Sequence, residues 1–279
     1  MLPDKETRDL IFGLAPIFAI IFFHIYNLSR LKLKKQSMSC LFQCIILNLN
    51  NKKIKSTEHM SRNITIFAIV ETLVCGAVVY SSSLLNNSFG RWVGTGANYF
   101  GLLFFLPLFM IVISFSLWAN PLKQSDFFVP GLPLALMITK FACFTSGCCH
   151  GIWWPGGPYS YRNNREEFPI QLVEAGVAFL LFLFFHWYKK RAKTGTVLPL
   201  YTILYSATRF VTEFWRGQEL VLGPLRFYHI LCIIGFVLGI IELAIVFKYG
   251  KKISSYFENT FYFSRKRKQM LKEKEALKS

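Results

Sequence analysis

Apolar residues along this chain come in runs of about twenty, without the one-face stripe of a soluble helix or the alternation of a β-strand. The runs fall at about 10–28, 64–85, 97–118, 127–147, 168–188, 197–215 and 228–247. Each is long enough to cross roughly 30 Å of hydrocarbon at about 1.5 Å per residue. A weaker stretch at 40–49 is too short to span and reads as interfacial. The pattern predicts an all-α integral membrane protein of about seven transmembrane helices, helical because a barrel strand would alternate.

Composition sharpens this. The chain has 279 residues, 53% hydrophobic and 17% aromatic, with 29 phenylalanines. The net charge of +17 sits between the apolar runs and in the tail, where it sets topology. No nucleic-acid role is expected. One cluster is Arg30, Lys32, Lys34 and Lys35, continued by Lys52, Lys53, Lys55 and Arg62. Lys189, Lys190, Arg191 and Lys193 form a second, and the tail from Gly250 a third, with Lys251, Lys252 and 265–268. All three fall on one side of a seven-span topology. The N-terminus is then outside and the C-terminus cytoplasmic. Mixed charge at residues 1–9 and the lack of a small-residue cleavage site mark the first run as retained. The expected organisation is a polytopic domain at 1–250 and a basic cytoplasmic tail at 251–279, without internal repeat.

Ionisable residues inside membrane helices are costly and mark function by default. Measured from the inner edge, Lys140 lies at about 20 Å, Arg209 at about 18 Å and Glu174 at about 21 Å. Three charges from three helices therefore share a depth in the outer half of the bilayer. Tyr205, Arg209 and Glu213 are four apart and stack on one helical face, with Arg216 close by. Such a stripe lines a cavity. A salt-bridge network that only locks helices, Lys140 with Glu174 and Arg209 with Glu213, is the bland alternative. The surplus of cations favours an anion pocket, such as one for a lipid phosphate. Glu71 and Glu242 lie nearer the inner side and are expected to pair structurally.

At 140–151 the chain reads Lys-Phe-Ala-Cys-Phe-Thr-Ser-Gly-Cys-Cys-His-Gly. Cys143, Cys148 and Cys149 in a C-x4-C-C-H spacing match no common zinc pattern, and adjacent cysteines rarely chelate one ion, so no metal is expected. Cys143 is otherwise a small packing residue. His150 is a candidate general base or an interfacial histidine. Seven cysteines, mostly inside apolar runs, exclude a secreted disulfide framework. Cys40, Cys44, Cys75 and Cys232 read as packing.

Several blocks resemble the bacterial prolipoprotein diacylglyceryl transferases over roughly 90–248. Ser125-Asp126-Phe127 with Pro130 and Pro133 is similar to the family's S-D-F-x-x-P-x-x-P block. The 140–151 stretch resembles R-x-G-N-F-x-N-G-x-x-x-G, in a cysteine-containing form. The stretch from Phe168 to Glu174 resembles H-P-x-Q-L-Y-E, and that from Tyr205 to Arg216 resembles Y-x-x-x-R-F-x-x-E-x-x-R. The departures are Lys140 for arginine, Cys143 for asparagine, Phe168 for histidine, Val173 for tyrosine, and Gly96-Ala-Asn-Tyr-Phe-Gly101 for H-G-G-L-x-G.

The resemblance implies transfer of a diacylglyceryl group from phosphatidylglycerol to the thiol of a lipoprotein precursor, or of another thiol-bearing peptide. It implies a bacterial plasma membrane, lipid partners and no cofactor. By resemblance Lys140, Arg209 and Arg216 hold the phosphate, while Tyr205 and Glu213 orient Arg209. Gln171 and Glu174 shape the pocket wall, Cys143 lies among the binding residues, and Gly151 allows close passage of lipid or peptide. Either His150 substitutes as base or the chemistry differs from the family's. The competing readings are a non-catalytic lipid- or peptide-binding protein on the same scaffold and a membrane thiol or metal protein using Cys143, Cys148, Cys149 and His150.

Overall fold

The computed structural model describes residues 5–29, 99–117, 120–160, 163–217 and 220–276. The interfacial stretch, the run at 64–85, Glu71, Cys40, Cys44 and Cys75 lie outside the described residues. The described chain is mostly helical: α1 (Lys5–Ser29), α2 (Tyr99–Leu117), α3 (Pro121–Phe128), a 3-10 turn (Val129–Gly131), α4 (Leu132–Ser146), α5 (Ile170–Tyr188), α6 (Val197–Glu213) and α7 (Phe227–Ala276). Two short antiparallel hairpins complete it: β1 (Tyr159–Ser160) with β2 (Arg165–Glu166), and β3 (Leu220–Leu222) with β4 (Leu225–Arg226). Among the described residues three helical stretches are long and apolar enough to cross a membrane: Pro121–Ser146, Ile170–Tyr188 and Phe227–Thr260.

One expected boundary moves, and another falls inside a helix. The run placed at 127–147 starts earlier, at Pro121, because Asn120 caps it. The Asn120 side chain accepts from the Leu122 N–H at 3.0 Å, and Pro121 has no N–H to satisfy. Lys123, Gln124 and Asp126 mask this turn in the apolar pattern. The other boundary is at 250, which falls inside α7. That helix has 50 residues, or about 75 Å at about 1.5 Å per residue.

The S-D-F block proves to be an aiming device for α6. Asp126 accepts from the backbone N–H of Gly195 at 2.6 Å and of Val197 at 3.1 Å. It thereby satisfies N–H groups that the start of a helix leaves unpaired. Gly235 and Gly239 let α7 lie close against α6: a Cβ at Gly239 would sit 3.1 Å from the Pro199 carbonyl oxygen. Phe100, Leu103, Phe185, Tyr201 and Tyr205 fill the core between α2, α5 and α6. Large apolar side chains on the outer faces of α1, α5 and α7 stay exposed, as a lipid-facing surface requires.

Candidate active site

The site begins where α4 ends. Gly147 adopts a left-handed conformation, φ 68°, and its N–H returns to the carbonyls of Cys143 and Phe144. The Cys148 N–H also returns to Cys143, at 3.1 Å. Cys149 is left-handed too, φ 58°, a strained state for a residue with a Cβ. The chain therefore doubles back, and the sulfurs of Cys143, Cys148 and Cys149 lie within 4.8 Å of one another. The spacing argument against convergence fails here because the left-handed turn removes the opposed directions that neighbouring side chains otherwise take. All three are free thiols. Hydrogen bonds from the Cys143 and Cys148 thiols hold Cys149 well below the ordinary thiol range, aided by the charges of Lys140 and Arg216.

This loop is pinned on two sides. Gln171 of α5 donates to the Cys148 carbonyl at 2.7 Å. The N–H of Ile152 reaches the Trp215 carbonyl at 3.0 Å, and that of Gly217 reaches the His150 carbonyl at 3.1 Å. The N–H of Phe168 reaches the Ile152 carbonyl at 2.9 Å. The backbone that passes Gly151 closely is the protein's own, since a Cβ there would collide with the Phe168 carbonyl. Gly151→Ala is expected to lower stability by about 1–3 kcal/mol through overpacking. Gly176→Ala, where a Cβ meets open space, is the neutral control. Thermal unfolding in detergent compares the two.

Glu174 is the hub of the charge cluster. It is buried, 6% exposed, and pairs with Lys140 at 2.6 Å through Oε2. Arg216 meets it with two bonds, Nε to Oε1 at 3.1 Å and NH2 to Oε2 at 2.9 Å. Arg209 donates to Oε1. The other amino group of Arg209 pairs with Glu213 at 2.7 Å, and Arg216 Nε stands 3.8 Å from the same carboxylate. Glu213 is fully buried, and its Oε1 accepts no hydrogen bond among the described residues. Three cations thus face two carboxylates, and one positive charge is left over. The residues inferred from sequence to share a depth do meet, and both ion pairs of the helix-locking alternative form.

Two openings reach this cluster. A small cavity of about 20 Å³, room for about one water, is lined by Lys140, Glu174, Tyr205 and Arg209 together with apolar residues of α4 and α5. Beside it runs an apolar groove of about 510 Å³ between α5 and α6, walled by Phe168, Val173, Val211 and Trp215. The two share Val177, Thr208 and Thr212. A greasy approach therefore ends on buried positive charge.

The family model for prolipoprotein diacylglyceryl transferase matches residues 11–245. The chain belongs to this family. Relatives named phosphatidylglycerol–prolipoprotein diacylglyceryl transferase include one from Clostridium tetani, 26% identical over 196 residues, covering 65% of this chain and 78% of the relative. A second such transferase, numbered 2, from Clostridium perfringens is 28% identical over 199 residues, covering 63% and 76%. One from Clostridioides difficile is 33% identical over 134 residues, covering 47% and 54%.

Within this transferase scaffold some expected roles shift. Tyr205 does not bond Arg209 among the described residues. Its ring packs against Tyr99 and Phe100, with centroids at 4.7 and 5.6 Å. The aromatic ring beside Arg209 is Tyr228, 5.5 Å from the guanidinium carbon. The His150 ring lies over Gly217, where a Cβ would come within 2.5 Å of its Cδ2, and stays out of the sulfur cluster. Glu242, expected to pair, leaves Oε2 without a hydrogen bond among the described residues. Cys232 packs in the core as expected.

Arg226 escaped the sequence reading. It is buried and donates to the carbonyls of Glu213 at 2.9 Å and Phe214 at 3.3 Å. It thereby closes the end of the helix that carries Arg209 and Glu213. The signal for it was a cation on the outer side of the predicted topology, against the positive-inside trend.

Proposed function

We propose that this protein transfers a diacylglyceryl group from phosphatidylglycerol to the thiol of a cysteine in a lipoprotein precursor, with release of glycerol phosphate. Family membership and the names of the relatives support this reading. The observation that carries it is the apolar groove beside a cavity lined by Lys140 and Arg209, with Arg216 paired to the same Glu174, the surroundings a phospholipid needs. Acyl chains take the groove, and the phosphate oxygens take donors of the three cations.

The acceptor thiol loses its proton to His150 and attacks the glyceryl carbon. A C–S bond forms, the C–O bond to phosphate breaks, and glycerol phosphate leaves with the electron pair. Charge grows on the departing phosphate, where the surplus cation stabilises it. Glu213 and Glu174 hold Arg209, Tyr205 forms the cavity wall, and Gln171 and Gly151 fix the loop that carries Cys143's partners and His150. The protein sits in the bacterial plasma membrane with seven spans, its N-terminus outside and the basic 251–279 tail in the cytoplasm, a reading supported by the basic clusters.

One observation favours a second reading, binding of lipid or peptide without chemistry: Glu174 already engages all three cations. The test uses the full chain in phosphatidylglycerol nanodiscs with a single-cysteine lipoprotein signal peptide, read by mass spectrometry. Transfer adds one diacylglyceryl group to the peptide. Retained phosphatidylglycerol with an unmodified peptide overturns transfer and leaves the binding reading.

A further inference from the structure

The scheme above leaves the three sulfurs beside it unused. Cys143 comes from α4, and Cys148 and Cys149 come from a strained loop pinned by Gln171, Trp215 and Phe168. Zinc–thiolate bonds of about 2.3 Å place the sulfurs of a three-thiolate centre about 4 Å apart. Sulfurs already within 4.8 Å of one another need little further movement. Three thiolates select soft cations over magnesium or calcium.

We infer that Cys143, Cys148 and Cys149 form a binding site for one thiophilic divalent cation of the zinc class, with the fourth position open to the acceptor thiol. Among the described residues no histidine or carboxylate joins the sulfur cluster, which leaves the fourth position open there. Three protein ligands and one open position are the arrangement of a catalytic zinc, whereas structural sites are closed. Three thiolates and a dication carry one net negative charge. The ion-paired cluster of Lys140, Arg209 and Arg216 with Glu174 and Glu213 has one positive charge to spare.

The open position has a use that rests on the transfer reading, although metal binding itself does not. Thioether formation requires a thiolate, and a metal-bound thiol is deprotonated outright. The acceptor thiol coordinates the cation and gives up its proton to solvent. The sulfur then attacks the glyceryl carbon while glycerol phosphate leaves. No oxidation state changes.

The test uses the reduced full chain in detergent, titrated with Co²⁺ and then Cd²⁺. One equivalent of each binds, with a sulfur-to-metal charge-transfer band and, for cobalt, the visible bands of a four-coordinate ion. Cys149→Ser weakens binding by more than about 10-fold. The triple variant Cys143→Ser, Cys148→Ser, Cys149→Ser loses the band, while Cys232→Ser keeps it. Size-exclusion elution confirms that the variants remain folded. A cysteine peptide shifts the cobalt bands and its serine counterpart does not. Absence of the band in folded protein, or its survival in the triple variant, overturns the site. Bands unmoved by the cysteine peptide overturn the acceptor role. If the band forms but no peptide is ever modified, the site stands and the transfer reading falls.

Discussion

Arg209→Ala lowers the rate of diacylglyceryl transfer by at least about 10²–10³-fold, the loss that follows removal of one preorganised donor from a developing anion. The arginine spans two buried carboxylates, with one amino group on Glu174 and the other on Glu213. Its removal leaves Glu213, which is fully buried, with Arg216 at 3.8 Å as its remaining ion-pair partner among the described residues. Breaking a buried pair in this way costs about 3–5 kcal/mol, so thermal stability falls together with activity. Arg209→Lys separates the two effects. A lysine keeps the charge and recovers part of the stability, but a point charge cannot bridge both carboxylates and present a planar fork to phosphate. Its transfer rate stays close to that of the alanine variant. Initial rates and unfolding temperatures for both variants check this, and a lysine variant with full activity would contradict it.

Glu174→Gln gives the second large effect, in which binding and turnover move in opposite directions. The wild-type carboxylate fixes Lys140, Arg209 and Arg216 at once. Glutamine retains the shape and one acceptor oxygen but removes the negative charge. Three cations then face Glu213 alone, and anionic lipid is retained more tightly. The same cations lose the common anchor that sets their positions. A displacement of about 1 Å at a reacting centre costs up to about 10²-fold, and turnover is expected to fall by about that much. Lipid-binding isotherms and kcat from one preparation test the split. Weaker phosphatidylglycerol binding in this variant would show that Glu174 assists the lipid instead of holding the cations ready for it.

The parts of this site that were legible in the sequence depend on regular geometry. Helical rise fixes depth, so Lys140, Glu174 and Arg209 could be placed at one level before their contacts were known. The four-residue spacing likewise gave the Arg209–Glu213 pair. Features that depend on irregular backbone were hidden. Convergence of the three sulfurs follows from the left-handed turn at Cys149, which no periodicity signals. The tight fit at Gly151 follows from the path of Phe168, seventeen positions later in the chain. Asp126 looked like part of a motif before Lys140, yet it works at the start of α6. Tyr228 and Arg226 come from the far side of a hairpin, and nothing in their local sequence ties them to Arg209 or to the end of α6.

A single site that couples a lipid phosphate to an acceptor thiol must form its two products in step. Its most direct test is the stoichiometry of the two products. The full chain in phosphatidylglycerol vesicles is given a signal peptide containing one cysteine, and glycerol phosphate release is counted against modified peptide. The account predicts one glycerol phosphate for each thioether formed and no release with a serine peptide. Glycerol phosphate released without peptide modification, or coupled transfer that persists in Arg209→Ala, would contradict it.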